Sequence, residues 1–520
     1  MTRSRTTSKN LFWGFICRII SLILPFITRS ILIYTLGIDY IGLGSLFSSI
    51  LQVLNLAELG VGSAIVYFMY KPLSQNDVPK VCALLNLYKK TYRIIGFIIL
   101  GAGLLILPFL EKLIAGEVPA GINLKLLYLI YFSNNLAGYF LFSYKQSIFM
   151  ANQRVDIISK VNMLVQVFSN ILKILILLTL RNYYIYILVI PLITIMSNII
   201  FSILADKIFP QYKTYGNVST QEKKDIQKKV AGMLFQKIGY IVLSSVDSIV
   251  ISSFLGLHIL GIYNGYYFVI TTLYSFIAII HQALIPAIAN SLLTDPVSKN
   301  LRDFKKFHFL FMWIISWCCA CLLALYQPFM TMWQGGENLL SNGIVLLLSI
   351  YFFANKMVDV NWMYREALGL WWESRFIPLI SSIVNLILNI VLVKIIGLAG
   401  IVISTIVSLT IINFPWSSKV VFDLYFKSKK DWIFYILQTL FYFGCMILIS
   451  FANLFICNLL PDSGILFFII KMFICLIIPN IIFLIINLIN PQLKFAASFI
   501  LNIIPQRFLP GVLKKIRDKE

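Results

Sequence analysis

Nine charged residues lie inside long apolar segments of this chain, where an ion finds little water. The basic ones are Arg18, Arg29, Lys173, Lys237, Lys356 and Lys471, and the acidic ones are Glu58, Asp247 and Asp359. A charge at the centre of a membrane helix costs about 2.5–3.5 kcal/mol on insertion scales, so such a residue faces a cavity or a partner. The excess of basic residues predicts an interior that attracts anions.

Arg18 and Arg29 share the first apolar segment and are separated by about three helical turns, so they project to nearly the same side. A guanidinium pairs bidentately with phosphate oxygens and stays charged, which suits a diphosphate. Lys173 and Lys237 add positive charge farther along. These four residues are the predicted anion-binding candidates. Snorkelling of Arg18 and Lys237 to the surface, and a structural pair between Arg29 and a carboxylate, stay open as alternatives.

Two acidic residues and one histidine are candidates for coupling or for ion pairing. Glu58 and Asp247 lie near the middle of their segments. A buried carboxylate there can carry a proton or Na⁺, or it can neutralise Arg29 or Lys237. His281 is a further proton site or a core residue. Lys356 and Asp359 are spaced for a local ion pair.

Polar neutral residues also recur within the apolar segments, and Asn162, Gln166 and Asn170 fall on one helical stripe. Such side chains hydrogen-bond either ligand hydroxyls or neighbouring helices. The others are Gln52, Asn55, Asn134, Asn135, Gln282, Asn385 and Asn389.

The elements that must position these residues are membrane helices. Hydrophobic residues make up 59% of the 520-residue chain and charged residues only 12%, whereas a bilayer core about 30 Å thick needs roughly 20 apolar residues per helix. The sequence predicts an all-α polytopic membrane protein with about fourteen transmembrane helices and no soluble domain. The predicted segments are about 11–37, 41–70, 94–114, 122–149, 157–180, 183–205, 230–256, 262–290, 308–333, 341–366, 374–396, 400–422, 432–457 and 464–489.

Basic residues in the loops predict the orientation. If the N-terminus is cytoplasmic, 33 of the 43 Lys and Arg residues fall in inside loops and tails and four in outside loops. This bias predicts that both termini are cytoplasmic. The net charge of +22 is then mostly inner-face charge that contacts anionic membrane lipids, and it does not indicate nucleic-acid binding.

Other chemistries have little support in the sequence. The chain has eight cysteines, of which Cys318, Cys319 and Cys321 cluster, but neighbours at that spacing point to different helix faces and make poor metal ligands. The chain contains no G-x-x-x-x-G-K-[ST] phosphate loop. We therefore expect no metal site, no cofactor and no ATP hydrolysis.

A short repeat suggests that the chain is duplicated. Leu36 to Gly42 and Leu255 to Gly261 both read Leu-Gly, four residues, Gly, and begin 219 residues apart. We expect two tight turns whose glycines take positive φ. Duplicated halves are typical of transporters that work by alternating access. The predicted division is an N-terminal lobe (1–205), a cytoplasmic linker (206–229), a C-terminal lobe (230–422), helices 13 and 14 (423–490) and a basic interfacial tail (491–520).

Six short stretches carry a family resemblance to bacterial polysaccharide flippases of the multidrug/oligosaccharidyl-lipid/polysaccharide exporter superfamily. They are residues 29–42, 56–64 (LAELGVGSA), 70–73 (YKPL), 87–90 (LYKK), 247–256 (DSIVISSFLG) and 261–263 (GIY). The resemblance in helix count and order covers the whole chain. The specific motifs lie in the first 93 residues and in 237–263.

The resemblance implies a substrate, a fold and a location. The substrate is an oligosaccharide repeat unit, of O-antigen or capsule type, on undecaprenyl diphosphate, and it moves from the cytoplasmic to the outer leaflet of the bacterial plasma membrane. The implied fold has two six-helix lobes in a V around a central cavity, with two C-terminal helices added. A polysaccharide polymerase and chain-length machinery are the implied protein partners.

Three other functions are alternatives to this one. A drug or cation antiporter of the same superfamily favours an acidic interior, and the basic excess argues against it. A peptidoglycan-precursor flippase is the second. A membrane glycosyltransferase or polymerase needs acidic motifs in a large outer loop, and the largest predicted one, about 111–121, offers only Glu111 and Glu117. We therefore expect a transporter and not an enzyme.

Overall fold

The computed structural model describes residues 23–55, 60–461 and 464–495, and within these ranges the chain is helical without a strand. Ten helices of this part are long and apolar enough to cross a membrane. The chain is thus an all-α, multi-pass membrane protein. The number fourteen stays a prediction. The described part groups into two compact units, Met1–Gly265 and Tyr266–Glu520, and the predicted lobe boundaries also stay predictions.

The first unit is built from eight helices and the first part of a ninth. They are α1 (Ile23–Leu36), α2 (Asp39–Leu54), α3 (Val61–Ser74), α4 (Val78–Ile106, continued by a 3₁₀ turn over Leu107–Leu113), α5 (Leu124–Phe140), α6 (Gln146–Ala151), α7 (Val155–Thr179), α8 (Tyr183–Ile208) and α9 (Thr220–Thr294, two helical segments joined across a kink at Gly256, whose backbone is not helical).

Side-chain caps fix where several of these helices begin. The side chain of Asp77 accepts a hydrogen bond from the Lys80 amide at 3.0 Å, at the start of α4. Asn123 and Asn182 do the same for α5 and α8. A free N–H group at a helix start needs an acceptor, which Asp and Asn provide. These polar residues therefore mark helix starts that apolar length alone cannot locate.

Helix α9 begins within the segment predicted as a linker, because a capping box starts it. The Glu222 amide donates to Ser219 Oγ at 3.3 Å, and that hydroxyl donates to the Glu222 carboxylate at 3.0 Å. Lys80 on α4 forms an ion pair with the same carboxylate, and this hydrogen bond lowers the pKa of Glu222. The non-helical part of the connection is only 209–219.

The first glycine of each repeat turn takes the predicted positive φ, whereas Gly42 and Gly261 do not and lie in helices. The two turns contact each other. Gly37 has φ 110° and Gly256 has φ 87°. A Cβ at Gly42 would overlap the carbonyl oxygen of Leu257, and one at Gly261 would overlap that of Ile38. Gly42 and Gly261 hold the same position in the two copies of the repeat, and so do Ile38 and Leu257. The two contacts are therefore equivalent, and the two turns pack against each other.

The second unit contains the remainder of α9 and eight further helices. They are α10 (Val297–Gln334), α11 (Asn342–Lys356), α12 (Asp359–Leu368), α13 (Phe376–Ile396), α14 (Leu398–Val407), α15 (Phe414–Val421), α16 (Lys429–Cys457) and α17 (Ile465–Ile486). The segment predicted at 341–366 is thus two helices, separated at Met357 and Val358. The segment predicted at 400–422 contains π turns at Ser408–Asn413 and Phe422–Phe426.

Candidate functional site

The described residues include part of the predicted site. Arg18 and Glu58 lie outside them. Lys237 lies on α9, and its predicted role, like that of Arg18, stays a prediction. Asp247 is half-buried on α9, and its coupling or pairing role is likewise a prediction. Arg29, Lys173 and His281 have described surroundings.

Arg29 on α1 binds to α9 through its guanidinium fork. Nη2 donates to the Asn264 side-chain oxygen, and Nη1 donates to the Asn264 backbone carbonyl at 3.4 Å. These two bonds attach the guanidinium of α1 to one residue of α9 and set its orientation. A guanidinium donates through a planar fork that matches the geometry of a phosphate or a carboxylate.

Lys173 on α7 lies next to the same group of residues. Its Nζ is 5.6 Å from the ring centroid of Tyr186, and Tyr186 also interacts electrostatically with Arg29. One turn before Lys173, Asn170 accepts a hydrogen bond from Thr28 Oγ1 at 3.0 Å, which joins α7 to α1. Two predicted cationic residues are thus brought to one tyrosine. We call Arg29, Lys173, Tyr186 and Asn264 the cationic cluster.

A second feature of the first unit is a cavity of about 750 Å³ among α2–α6 and α8. It is polar without being charged: none of its described lining residues is acidic or basic. Amide, hydroxyl and phenol groups alternate with small residues around it. The lining comprises Asn55, Gly60, Gly62, Ser63, Val66, Tyr70, Tyr88, Tyr92, Asn134, Asn135, Gly138, Tyr139, Ser143, Gln146, Ser147, Met150 and Thr194.

Hydrogen bonds hold part of this lining in place and leave part of it available. Asn55 Oδ1 accepts from Tyr139 Oη at 2.9 Å and from Asn135 Nδ2 at 3.1 Å. Asn134 Oδ1 accepts from Thr194 Oγ1 at 2.6 Å. The Asn134 amide nitrogen and the Gln146 side chain have no hydrogen bond to the described chain. The cavity therefore offers both donors and acceptors to a guest.

Sequence reasoning selected three of the cavity residues, Asn55, Asn134 and Asn135, among the polar residues of apolar segments. It missed the tyrosines, because a tyrosine in an apolar run looks like core. The other selected asparagines pack elsewhere: Asn385 is fully buried and donates to Thr405 Oγ1 at 2.9 Å. Asn385 therefore forms a hydrogen bond between two helices, which is the alternative to binding ligand hydroxyls.

His281 belongs to a buried ionic group of the second unit. The predicted ion pair between Lys356 and Asp359 is confirmed, with Nζ 3.3 Å from Oδ2. His281 Nε2 lies 3.2 Å from the same oxygen. The sequence offers no signal for this last contact, because the histidine and the carboxylate come from different helices.

Comparisons with known proteins identify the class of this molecule. In the search of solved structures, the chain matches "Lipid II flippase MurJ" in an inward closed conformation with a TM-score of 0.64 at 17% identity, over 92% of this chain and 99% of that one. An inward-facing multidrug resistance MATE family transporter of the MOP superfamily matches with a TM-score of 0.57 at 14% identity, over 79% and 96%. A mutant of the Vibrio cholerae MATE transporter VcmN matches with 0.54 at 15% identity, over 82% and 100%.

The fold is therefore that of the membrane transporters of the MOP superfamily. The model of the polysaccharide biosynthesis protein family matches residues 7–292, more than half of the chain. The chain belongs to this family. No curated protein matches its sequence.

Proposed function

We propose that this protein moves an undecaprenyl-diphosphate-linked oligosaccharide repeat unit from the cytoplasmic to the outer leaflet of a bacterial plasma membrane, by alternating access, for surface polysaccharide export. The observation that carries the proposal is that the match to a polysaccharide biosynthesis family, over 7–292, includes both the cationic cluster and the uncharged polar cavity.

The cavity has the chemistry of a site for sugar rings. Hydroxyl groups of a sugar donate and accept hydrogen bonds, as the amides of Asn134 and Gln146 do. Tyrosines such as Tyr88 and Tyr139 supply rigid rings with an apolar face and a polar tip. The volume lies in the range of about 300–1,000 Å³ that is common for small-molecule pockets. The described lining is uncharged, which suits the neutral sugars of a repeat unit.

The cationic cluster has the chemistry of a site for a diphosphate. A guanidinium and an ammonium near one tyrosine provide a fork and a point charge for phosphate oxygens. Sugars and diphosphate are the two polar parts of the proposed substrate, and the first unit holds a region suited to each.

Two alternatives are kept as outcomes of the test. A drug or cation antiporter would favour a carboxylate in its binding cavity, and the described lining of this cavity has none. A peptidoglycan-precursor flippase would use the same diphosphate chemistry, and the fold matches MurJ over nearly the whole chain. The three functions differ in what is carried. An antiporter carries a cation, a peptidoglycan-precursor flippase carries a lipid-linked sugar that bears a peptide, and the proposed flippase carries a lipid-linked oligosaccharide without a peptide.

The test is a flipping assay with purified protein in vesicles. Three fluorescent probes are compared: an undecaprenyl-diphosphate oligosaccharide, a peptidoglycan-precursor lipid and a planar organic cation. We expect the oligosaccharide lipid to cross at least about tenfold faster with the protein than in protein-free vesicles. We also expect it to cross faster than the other two probes, and a tenfold difference in rate corresponds to about 1.4 kcal/mol. Faster movement of the cation, or of the peptide-bearing lipid, would replace the proposal with the matching alternative.

A further inference from the structure

A broken helix in the second unit places two opposite charges at its break. Helices α11 and α12 together form one apolar span, Asn342–Leu368, interrupted at Met357 and Val358. Lys356 is the last residue of α11 and Asp359 is the first of α12. The end of a helix carries a partial negative charge and the start a partial positive one, so each side chain complements its own helix. Such breaks in membrane helices commonly form ion sites.

The carboxylate at the break is shared by two groups that can carry a positive charge. Lys356 Nζ donates to Asp359 Oδ1 at 3.4 Å and to Oδ2 at 3.3 Å. His281 Nε2 lies 3.2 Å from Oδ2. All three residues are at least nine-tenths buried. In the described part of the chain, Asp359 forms ion pairs with these two residues alone.

The imidazole is held near the carboxylate without a hydrogen bond. Its ring stacks on Phe311 with centroids 5.4 Å apart and leans against Trp362 at the same distance. His281 Nε2 is buried and has no hydrogen-bond partner in the described chain, although the carboxylate is within reach. Each buried polar atom is expected to have a partner. The 3.2 Å contact is not aligned for a hydrogen bond, but a proton on Nε2 makes the ring an imidazolium, which attracts the Asp359 carboxylate as an ion pair.

Lys356 has a second partner, Tyr274, which can stabilise its charge when the Asp359 carboxylate pairs with His281 instead. Its Nζ lies 4.3 Å from the ring centroid of Tyr274, on α9. The face of an aromatic ring attracts an ammonium, and more strongly where water is excluded. The lysine therefore need not lose its proton or leave the interior for the carboxylate to change partner.

The next titratable groups around the site are held by neutral partners. On α16, Tyr435 Oη accepts from Asn361 Nδ2 at 2.9 Å. On α10, His308 Nε2 lies 3.1 Å from Thr439 Oγ1, and the His308 ring is 4.6 Å from that of Tyr435. Proton exchange is therefore assigned to the shared carboxylate and its two cationic partners.

We propose that His281, Asp359 and Lys356 form a proton-binding site that sets the bend between α11 and α12. A proton from water binds to the lone pair of His281 Nε2. Asp359 then pairs with the imidazolium, and Lys356 keeps its protons and rests on Tyr274. The net charge of the site rises from zero to plus one. Because Lys356 and Asp359 flank the break, the change of partner alters the angle between the two helices, as charge switches do at two-state elements. Histidine is the side chain suited to such exchange between about pH 5 and 8.

The proposal does not depend on what the protein transports, so it can be tested by proton binding alone. The chain has three histidines, which are His258, His281 and His308. In protein labelled with ¹³C at histidine Cε1, three NMR signals are assigned by replacing each histidine with glutamine. We expect the His281 signal to titrate. Asp359→Asn removes the negative partner and should lower the proton affinity of His281 about tenfold. Lys356→Gln removes the competing positive charge and should raise that affinity about tenfold, and each change moves the titration midpoint by about one pH unit.

Opposite signs for the two variants distinguish a shared carboxylate from general damage. The His258 signal serves as the internal control, because that residue is exposed and pairs with Asp39. If Asp359→Asn does not fold, the double variant Lys356→Gln/Asp359→Asn removes both charges, and it should bring the raised His281 affinity of Lys356→Gln back close to that of the wild type, because the two effects oppose each other. An imidazole that does not titrate, or affinities that move in the same direction, would overturn the site.

The bend is measured separately with spin labels at Asn342→Cys and Glu373→Cys, which are exposed on the two sides of the break. We expect the distance between the labels to differ between about pH 5 and pH 8, the range in which histidine exchanges its proton. His281→Gln should remove this difference. A distance that is independent of pH in the wild type would overturn the link between proton and bend.

Discussion

Arg29 is the residue whose chemistry is best defined by its surroundings. It reaches two oxygens of one residue, Asn264, and this fixes the plane of the guanidinium. A lysine has the charge but is a point donor without the fork. The side chain is thus positioned by α9, and Tyr186 lies close enough to interact with its charge.

We expect Arg29→Ala to lower the flipping rate of the oligosaccharide lipid at least about tenfold, and Arg29→Lys to recover only part of it, since hydrogen bonds to charged groups contribute about 1.5–3 kcal/mol. The initial rate in vesicles measures both. The matched control is Lys125→Ala, an exposed lysine at the start of α5, which should leave the rate unchanged. A lysine variant as fast as the wild type would remove the role of the fork.

Residue types in apolar surroundings were enough to select Arg29 and Lys173, but not their partners. Asn264 and Tyr186 follow from how α1, α7, α8 and α9 pack, which no spacing along the chain encodes. The same holds for His281: the local spacing of Lys356 and Asp359 predicts their pair, whereas the histidine contact is tertiary.

The two repeat turns are the elements whose sequence constrains the fold most tightly. Gly42 and Gly261 allow each turn to bring its backbone against a carbonyl of the other. A methyl group at Gly42 or Gly261 would overlap backbone atoms of Leu257 or Ile38. Backbone atoms move aside less easily than the end of a flexible side chain.

Gly42→Ala should therefore destabilise the protein by about 1–3 kcal/mol, the usual cost of overpacking a tight contact. Gly261→Ala should behave alike, because its contact with Ile38 is the reciprocal one. Thermal unfolding of the purified protein, followed by the loss of the monodisperse peak in size-exclusion chromatography, measures the effect. Gly101→Ala is the control, since a Cβ there meets nothing within 4 Å. Equal stability of Gly42→Ala and Gly101→Ala would refute the contact.

Hydropathy located most helices but not their polar ends or their breaks. Helix α9 starts at a capping box of Ser219 and Glu222, a signal present in the sequence but hidden in a basic, polar stretch. The break at Met357 and Val358 gives no hydropathy signal, because both residues are apolar. An apolar composition predicts that a segment lies in the membrane, but it does not predict where the helix in that segment is interrupted.

For the whole molecule, the duplication inferred from a seven-residue pattern is supported by the structure at the two turns, which contact each other. Asp39 and His258, 219 residues apart, lie 3.0 Å from each other at Oδ1 and Nδ1. A pattern too short to prove a repeat alone gains weight when its two copies pack reciprocally.

The orientation of the molecule in the membrane is the prediction on which the direction of transport depends. The basic residues of the connection between α8 and α9 place it on the cytoplasmic side, because positively charged loops stay inside. Cysteine introduced at Gln211 should therefore be protected from a membrane-impermeant maleimide added to intact cells, and cysteine at Glu117, before α5, should react. Both side chains are exposed, so protection at position 211 reflects the membrane barrier and not burial. Permeabilised cells are the control, in which both positions should react, and the parent chain gives the background of its native cysteines. Labelling at 211 with protection at 117 would place both termini outside and reverse the proposed direction of transport.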